Sequence, residues 1–445
     1  MSFVVQMSKL SSRNLTLALI LIFTIGPLSA ATWYAAPAAA GAGDASSPAD
    51  PDTIFNILGG AYPLAAGDSI EMAAGGYAIG GGTLVVNLPL HIYGMGPGAT
   101  VLFNGNPTFQ FNPASSGSAL TMLTIDQSFS DGVSINDAQV DVKDVDVRWS
   151  NGTGIYVNGP ASTGGISRVG LYNNNTGIHS SASALSYVGN SKIDNNTAWG
   201  ILFEQNGVAL VERNEITTNG IGMEILDVGN AVTTSENNFV SNGTGILIQN
   251  PGVPGGNKIL NNNFEFTANV AVAIGAPGDQ TIVNANHFYK DGMAISLGKF
   301  TNTKVTNNII RETIGTAIMA TRSNAGIYFN TIAWAWEGIH VRGFNGCQVD
   351  NNIVYQCTAT GIWADGAVLN ANCNDSWGNA PNYLGAFAGG GNISVDPQFT
   401  FGAPFFQLAS TSPLNGAACN TWIGSDHYGN TRDAFPFTEP GAIEN

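Results

Sequence analysis

A short apolar alternation with a small residue in front recurs along this chain at an almost constant interval. The small residues are Gly154, Gly177, Gly200, Gly222, Gly245, Ala271, Ala294, Ala317, Gly338 and Gly361. Their numbers rise by 23, 23, 22, 23, 26, 23, 23, 21 and 23. A fixed period of this size decides the architecture before any single residue does. A repeat this short cannot hold a helix pair or a propeller blade. The L-x-x-L-x-L pattern of leucine-rich repeats is missing. The period matches one turn of a β-solenoid, in which like strands stack in parallel at about 4.8 Å per coil. The residue after each small one then forms an inward aliphatic row: Ile155, Ile178, Ile201, Met223, Ile246, Val272, Ile295, Ile318, Ile339 and Ile362. A second marker keeps the period. Asn214, Asn237, Asn262, Asn286, Asn308, Asn330 and Asn352 recur at nearly the same interval, each just before or near an apolar residue. Seven amides at one phase predict a ladder at one bend of the coil, bonded to backbone groups of neighbouring turns.

Charge narrows the partners. The 445 residues carry 15 basic and 31 acidic side chains, a net charge of −16. Nucleic acid is excluded as a partner, because phosphates demand a basic surface. Lys9 and Arg13 precede the apolar run Leu15–Ile25, and GPLSAA follows. This is the pattern of an export signal with cleavage after Ala30 or Ala31. Losing the two cations takes the mature chain from −16 to about −18. No other stretch is long and apolar enough to cross a membrane, so a secreted or cell-surface location is expected.

The chain divides into a signal peptide at 1–31, an N-terminal cap with the first strands at 32–82, parallel coils at 83–375, and a last coil with a capping tail at 376–445. Thr53–Leu58 is weakly helical and is expected to plug one end, since an open solenoid end is an exposed sheet edge. The four cysteines, Cys347, Cys357, Cys373 and Cys419, all lie late in the chain. In an exported protein they are disulfide candidates with three possible pairings. The interval from Cys347 to Cys373 is close to one period, so these two could stack, and Cys357 could then pair with Cys419.

The opening WYAAPAAAGAGDASSPA, the element LAAGDSIEMAAGGY and the ending GGGNISVDPQF followed by TSP resemble secreted right-handed parallel β-helix proteins of the pectate-lyase-like group. The resemblance covers nearly the whole mature chain. It implies a single all-β, right-handed parallel β-helix with terminal caps. It also implies activities such as lysis, hydrolysis or epimerisation of polysaccharides. The D-P-H-D, N-T-D with G-H-G, and W-I-D-H signatures of the group's alginate epimerases, polygalacturonases and pectate lyases are absent. No catalytic residue is carried over.

Chemistry on a solenoid must come from outward positions, which strand alternation identifies. In GIHVRG and GIWADG, one period apart, His340, Arg342, Trp363 and Asp365 point outward from adjacent coils. His340 suits acid–base work, with Arg342 and Asp365 as catalytic partners and Trp363 as a platform for a sugar. The plain alternative is a cross-strand Arg–Asp ion pair. Glu204 and Glu224 form a second patch near His179, as a glycosidase-like carboxylate pair, a calcium site or plain surface acids. In VKDVDVRW, Val145, Val147 and Trp149 alternate inward and leave Asp144 and Asp146 outward, as a charged face or a calcium site. Trp334 and Trp336 share one phase, and core filling is the favoured reading. These residues support an extracellular carbohydrate-interacting protein, in enzymatic form a polysaccharide lyase or glycoside hydrolase. The alternative is a non-enzymatic surface or matrix scaffold. The expected partner is an extracellular polysaccharide or cell-surface glycan, the expected state a monomer, and no cofactor is required unless calcium bridges acidic groups.

Overall fold

The computed structural model describes residues 30–444 apart from 206–208, 227–230, 250–255, 276–279, 344–345, 401–404, 420–422 and 434–437. The expected signal segment lies outside the described residues, except for Ala30 and Ala31. The chain winds into about 13 parallel coils, each contributing a short strand to three sheets. The first sheet stacks Thr153–Asn158, Thr176–Ser181, Trp199–Glu204 and Ile221–Leu226, and continues to Glu337–Arg342. The second runs through Gly165–Ser167, Tyr187–Gly189 and Ala209–Glu212 to Gln348–Asp350. The third runs through Gly170–Tyr172, Lys192–Asp194 and Glu215–Thr217 to Ile353–Tyr355. Extra residues in the longer coils fall between the first and second sheets, so the other two keep a constant register.

The aliphatic row lies where the period puts it. Ile155 pairs with Ile178, Ile178 with Ile201, and the row continues in register to Ile339 and Ile362, every member fully buried. Full burial of each such side chain is worth about 1.5–3 kcal/mol. Within the coils Phe239, Phe264 and Phe288 stack ring on ring with centroids 4.9 Å apart, the rise of one coil. The small residue in front has a steric cause. A Cβ at Gly177 would come within 2.4 Å of the Gly200 carbonyl oxygen on the next coil.

Two corners of each coil are made by single residues in the left-handed region. Arg168, Asn190, Arg213, Glu236 and Asn261 turn the chain from the second sheet to the third, with φ between 51° and 56°. Trp149, Asn173, Asn195, Thr218 and Ser241 turn it from the third sheet towards the first. The residue after each corner is where the asparagines stand. Asn286 shows the pattern. Its backbone N–H donates to Asn308 Oδ1 at 2.9 Å, and its Nδ2 donates to that oxygen at 3.1 Å and to the Ile259 carbonyl at 2.8 Å. Its own Oδ1 accepts from the Asn262 backbone at 2.9 Å. A second, shorter row of Asn174, Asn196, Asn219 and Asn242 does the same after the other corner.

The corners correct three expectations. A left-handed residue breaks strand alternation, so Trp149 (φ 59°) projects outward and is 56% exposed instead of buried. Trp334 is also a corner residue (φ 56°), and it and Trp336 are exposed at the surface rather than filling the core.

The N-terminal plug forms at Ile54–Asn56 and Ile57–Ala61, with Ile54 and Ile57 buried against the first coils. Trp33 Nε1 and the backbone N–H of Ala31 both donate to the Asp68 carboxylate, at 3.0 and 2.8 Å, which ties the opening segment to the Gly67-Asp68 turn. At the other end the tail packs on the third sheet through Phe399, Phe406, Leu408, Leu414 and Ile443. The expected cysteine pairing is corrected. Cys373 is bonded to Cys419, while Cys347 and Cys357 are unpaired and buried. The local coil is shorter than the interval between Cys347 and Cys373. Gln348 pairs with Asn370, which sets Leu369 beside Cys347 and leaves Cys373 four positions out of register. Cys373 instead sits at a corner (φ 53°), where it meets the tail.

Asp291 lies two coils beyond Asn242 in the second amide row. Its Oδ1 accepts the Thr267 backbone N–H at 2.9 Å, but its Oδ2 is buried without a hydrogen-bond partner. Burial pushes this carboxyl up to about 7. Its folded value lies above the unfolded 3.8, so the folded chain holds the extra proton between the two. The contribution to stability is full below about pH 4 and is lost as pH rises through 7. Asp291→Asn is expected to raise the melting temperature by roughly a few degrees near pH 8 and to leave it unchanged near pH 4. Thermal melts of both chains at the two pH values check this.

Candidate functional site

Two clusters of polar and aromatic side chains stand on the outward face of the first sheet. The first is built on Glu337–Arg342 and on Ile362–Asn372, which pair His340 with Trp363 and Arg342 with Asp365. The His340 and Trp363 rings stack with centroids 3.9 Å apart and planes 19° from parallel. One face of Trp363 is thereby taken, and the next coil brings Leu384 into register beyond it. His340 Nδ1 lies 3.1 Å from Glu337 Oε2, and Thr316 Oγ1 donates to the same oxygen at 2.8 Å. A carboxylate can only accept, so Nδ1 carries the proton and Nε2 faces the other way. Nε2 is buried with no hydrogen-bond partner, and the nearest acid oxygen, Asp365 Oδ2, is 3.5 Å away. The same oxygen is 3.5 Å from Arg342 Nε. The Arg342 side chain is 67% exposed and that of Asp365 37%, whereas His340 and Glu337 are buried.

This arrangement holds an imidazole in one orientation, with no hydrogen bond to the acid beside it. Glu337 orients the imidazole, and Nε2 is poised beside an acid that is open to solvent, while Arg342 offers a fork for a carboxylate or hydroxyls. Burial, the largest influence on Glu337, would raise its carboxyl, but hydrogen bonds from His340 and Thr316 outweigh it and hold the group below the usual range. Glu337 escaped the sequence reading because it stands just before the small residue that marks each repeat. Its signal is its register with Thr316, one coil earlier in the same outward column.

The second cluster contains the anticipated acids. His179 Nε2 lies 2.8 Å from Glu204 Oε2, and the Tyr156 ring packs 5.1 Å from the His179 ring. Glu224, on the next coil, is buried rather than a surface acid. It accepts from Trp199 Nε1 and, at 3.0 Å, from Gln249 Nε2. Burial raises its carboxyl, with the charge of Glu204 adding to the effect despite the Trp199 hydrogen bond. A carboxyl raised by burial beside a second acid is an arrangement that general acid–base chemistry uses. Seven register steps separate His179 from His340, about 34 Å at ~4.8 Å each, and five separate Glu224 from His340. Between them the outward row holds Leu247, Ala273, Ser296 and Met319.

Asp144 and Asp146 are not brought together. Asp144 is a corner residue (φ 55°) whose carboxylate meets Arg168 Nε at 2.7 Å and Nη2 at 2.6 Å. Asp146 belongs to the third sheet beyond that corner, where burial raises its carboxyl and Arg148 opposes the rise. Among the described residues no group of three or more His, Cys, Asp or Glu side chains is placed to hold a metal ion.

The family model described as "Right handed beta helix region" matches residues 108–264, in keeping with a right-handed coil. No curated protein matches the sequence. Solved structures with similar coils include a mannuronic acid specific polysaccharide family 6 lyase from human gut microbiota, 12% identical with a TM-score of 0.47, covering 80% of this chain and 83% of that one. The family 6 polysaccharide lyase of Pseudopedobacter saltans is 13% identical with a TM-score of 0.47, covering 83% of this chain and 98% of that one. The catalytic domain of a GH87 alpha-1,3-glucanase, in complex with tetrasaccharides, is 15% identical with a TM-score of 0.46. It covers 73% of this chain, which spans 64% of that domain's length. These likenesses are of general coil architecture and carry no site residue across.

Proposed function

We propose that this protein is an extracellular glycan-binding β-helix whose contact surface is the outward face of the first sheet. The observation that carries the reading is the Glu337–His340–Asp365–Arg342 cluster beside a stacked tryptophan. It puts a buried, oriented imidazole next to a half-buried acid and an exposed guanidinium. Such a site suits a hydroxyl- or carboxylate-bearing polymer. Charged groups lie at both ends of a long face with small and apolar residues between, so an extended chain fits better than a compact ligand. Export rests on Lys9, Arg13 and the apolar run Leu15–Ile25. No helix among the described residues is long and apolar enough to cross a membrane.

In its enzymatic form the protein uses His340, or Glu224 with Glu204, to exchange a proton with the glycosidic oxygen or with a ring carbon next to a uronate carboxylate. The second reading is a rigid scaffold that binds the glycan without cleaving it, favoured by the unreactive middle of the face. The test is a screen of the mature chain against neutral and uronic-acid polysaccharides, with and without calcium. Ultraviolet absorbance of new unsaturated ends reports a lyase and new reducing ends a hydrolase. Products that vanish in His340→Ala or Glu224→Gln place the reaction. Retention without products supports the scaffold form. Silence across the panel overturns the proposal.

A further inference from the structure

The C-terminal tail crosses the corner between the second and third sheets. Between the coils and the loop Ser425–Gly429 it leaves a cavity of about 560 Å³. Its walls include Asn261, Asn263, Asn284 and His287 from the coils and His427 and Tyr428 from the loop. This volume falls in the range of small-molecule sites.

The hydrogen bonds determine what these walls offer. His427 Nδ1 lies 2.9 Å from the Asn307 carbonyl, which can only accept, so Nδ1 holds the proton and Nε2 is left as an acceptor. His287 Nε2 accepts from Arg311 Nε at 3.1 Å, and its Nδ1 donates to Asn263 Oδ1 at 2.9 Å. A ring with a guanidinium donating to it stays neutral. Burial, with the charges of Arg311 and His427 assisting, pushes His287 down to about 4. Burial lowers His427 as well.

The charges nearby are already engaged. Asp426 Oδ1 accepts the N–H groups of Tyr428 and Asn430, and Oδ2 accepts Asn430 Nδ2 at 3.0 Å. Arg311 is turned to His287 and to the Tyr289 ring, 3.8 Å from its centroid. The cavity therefore shows the amide of Asn261, the Nδ2 donor of Asn284, the His427 Nε2 acceptor and a half-exposed Tyr428 ring, while Asn263 and the Asn284 oxygen are already bonded to neighbours. Asn261 sits at the rim in the left-handed region (φ 54°).

We infer that this cavity is a second ligand site, separate from the first sheet, and that it takes an uncharged, hydroxyl-rich ligand: a neutral sugar. Amide and imidazole groups meet hydroxyls in either sense, and the tyrosine ring covers the apolar face of a pyranose. Among the described residues lining the cavity no cation is free to meet an anion, and the one carboxylate, Asp426, has both oxygens taken by the Tyr428 and Asn430 donors. The inference does not depend on the first-sheet proposal.

The test is calorimetric titration of the intact mature chain with glucose, galactose and mannose, and with cellotriose and maltotriose. Galacturonate and glucosamine serve as charged counterparts. Saturable binding of at least one neutral sugar is expected, with the charged counterparts at least tenfold weaker. Monosaccharide binding identifies a free sugar as the ligand, and binding of trisaccharides alone identifies a chain end. Tyr428→Ala removes the ring platform and weakens the affinity about tenfold. Asn261→Gly, which keeps the left-handed backbone, also weakens it. Trp149→Ala, which removes an exposed ring outside both sites, leaves it unchanged. No binding of any neutral sugar, equal binding of the charged counterparts, or binding untouched by Tyr428→Ala would overturn the inference.

Discussion

Asn286→Ala is expected to destabilise the coils by roughly 3–5 kcal/mol, more than an ordinary surface substitution in this chain. The side chain removed is fully buried. Its loss strands the N–H of Asn262, the carbonyl of Ile259 and part of the capacity of Asn308 Oδ1, all in a place water does not reach. Each buried orphan costs about 1–3 kcal/mol. Asn308→Ala strands the corresponding groups one coil on, the Asn286 N–H and the Val283 carbonyl. Asn269, an exposed asparagine outside both rows, provides the control, and its alanine variant should stay within about 0.5 kcal/mol of the parent. Urea unfolding followed by circular dichroism measures all three. Equal midpoints for Asn286→Ala and Asn269→Ala would mean that the ladder is ornament.

Arg432→Met is expected to release the C-terminal tail. The Arg432 side chain is wholly buried, with Nη1 3.0 Å from Glu444 Oε2. Nη2 donates to Asn307 Oδ1 at 2.9 Å and to the Gly441 carbonyl at 2.7 Å, and the guanidinium lies 4.3 Å from the centre of the Phe329 ring. One side chain thus joins two parts of the tail to two consecutive coils. Methionine keeps most of the volume but leaves Glu444 buried without its cation, a loss of about 3–5 kcal/mol. The coils themselves do not depend on this contact. The far-ultraviolet spectrum should therefore hold while limited proteolysis cuts within 423–444. A variant as resistant as the parent would show that the apolar contacts of Phe399, Phe406 and Leu414, with the Cys373–Cys419 bond, hold the tail without Arg432.

The coil architecture was legible because it repeats. A residue that must be small, an aliphatic row and an amide row each recur at the same phase, and stacking turns phase into contact. The second amide row of Asn174, Asn196, Asn219 and Asn242 was equally visible at spacings of 22, 23 and 23, but it fades into Thr267 and Asp291 before it becomes conspicuous. What failed was the extension of strand alternation across corners. Asp144, Trp149 and Trp334 adopt a left-handed conformation with no glycine to announce it, and each such residue resets which face is inward. The site was legible in pairs. His340 with Trp363 and Arg342 with Asp365 followed from one register. Glu337 and the burial of Glu224 depend on neighbours in other columns, which a single repeat does not display. The cysteine pairing turned on coil length, since the interval from Cys347 to Cys373 overshoots the local coil by four positions in register.

The central claim is that glycan contact lies on the outward face of the first sheet. The most direct measurement is the affinity of the mature chain for the polysaccharide it retains best, compared with Trp363→Ala and Arg342→Ala. Arg342 is exposed, so its variant should melt within about two degrees of the parent, while removing the Trp363 ring from between His340 and Leu384 lowers the melting temperature without unfolding the coils. The account predicts that each substitution weakens binding about tenfold or more. Unchanged affinity in both variants, with the fold intact, would contradict it.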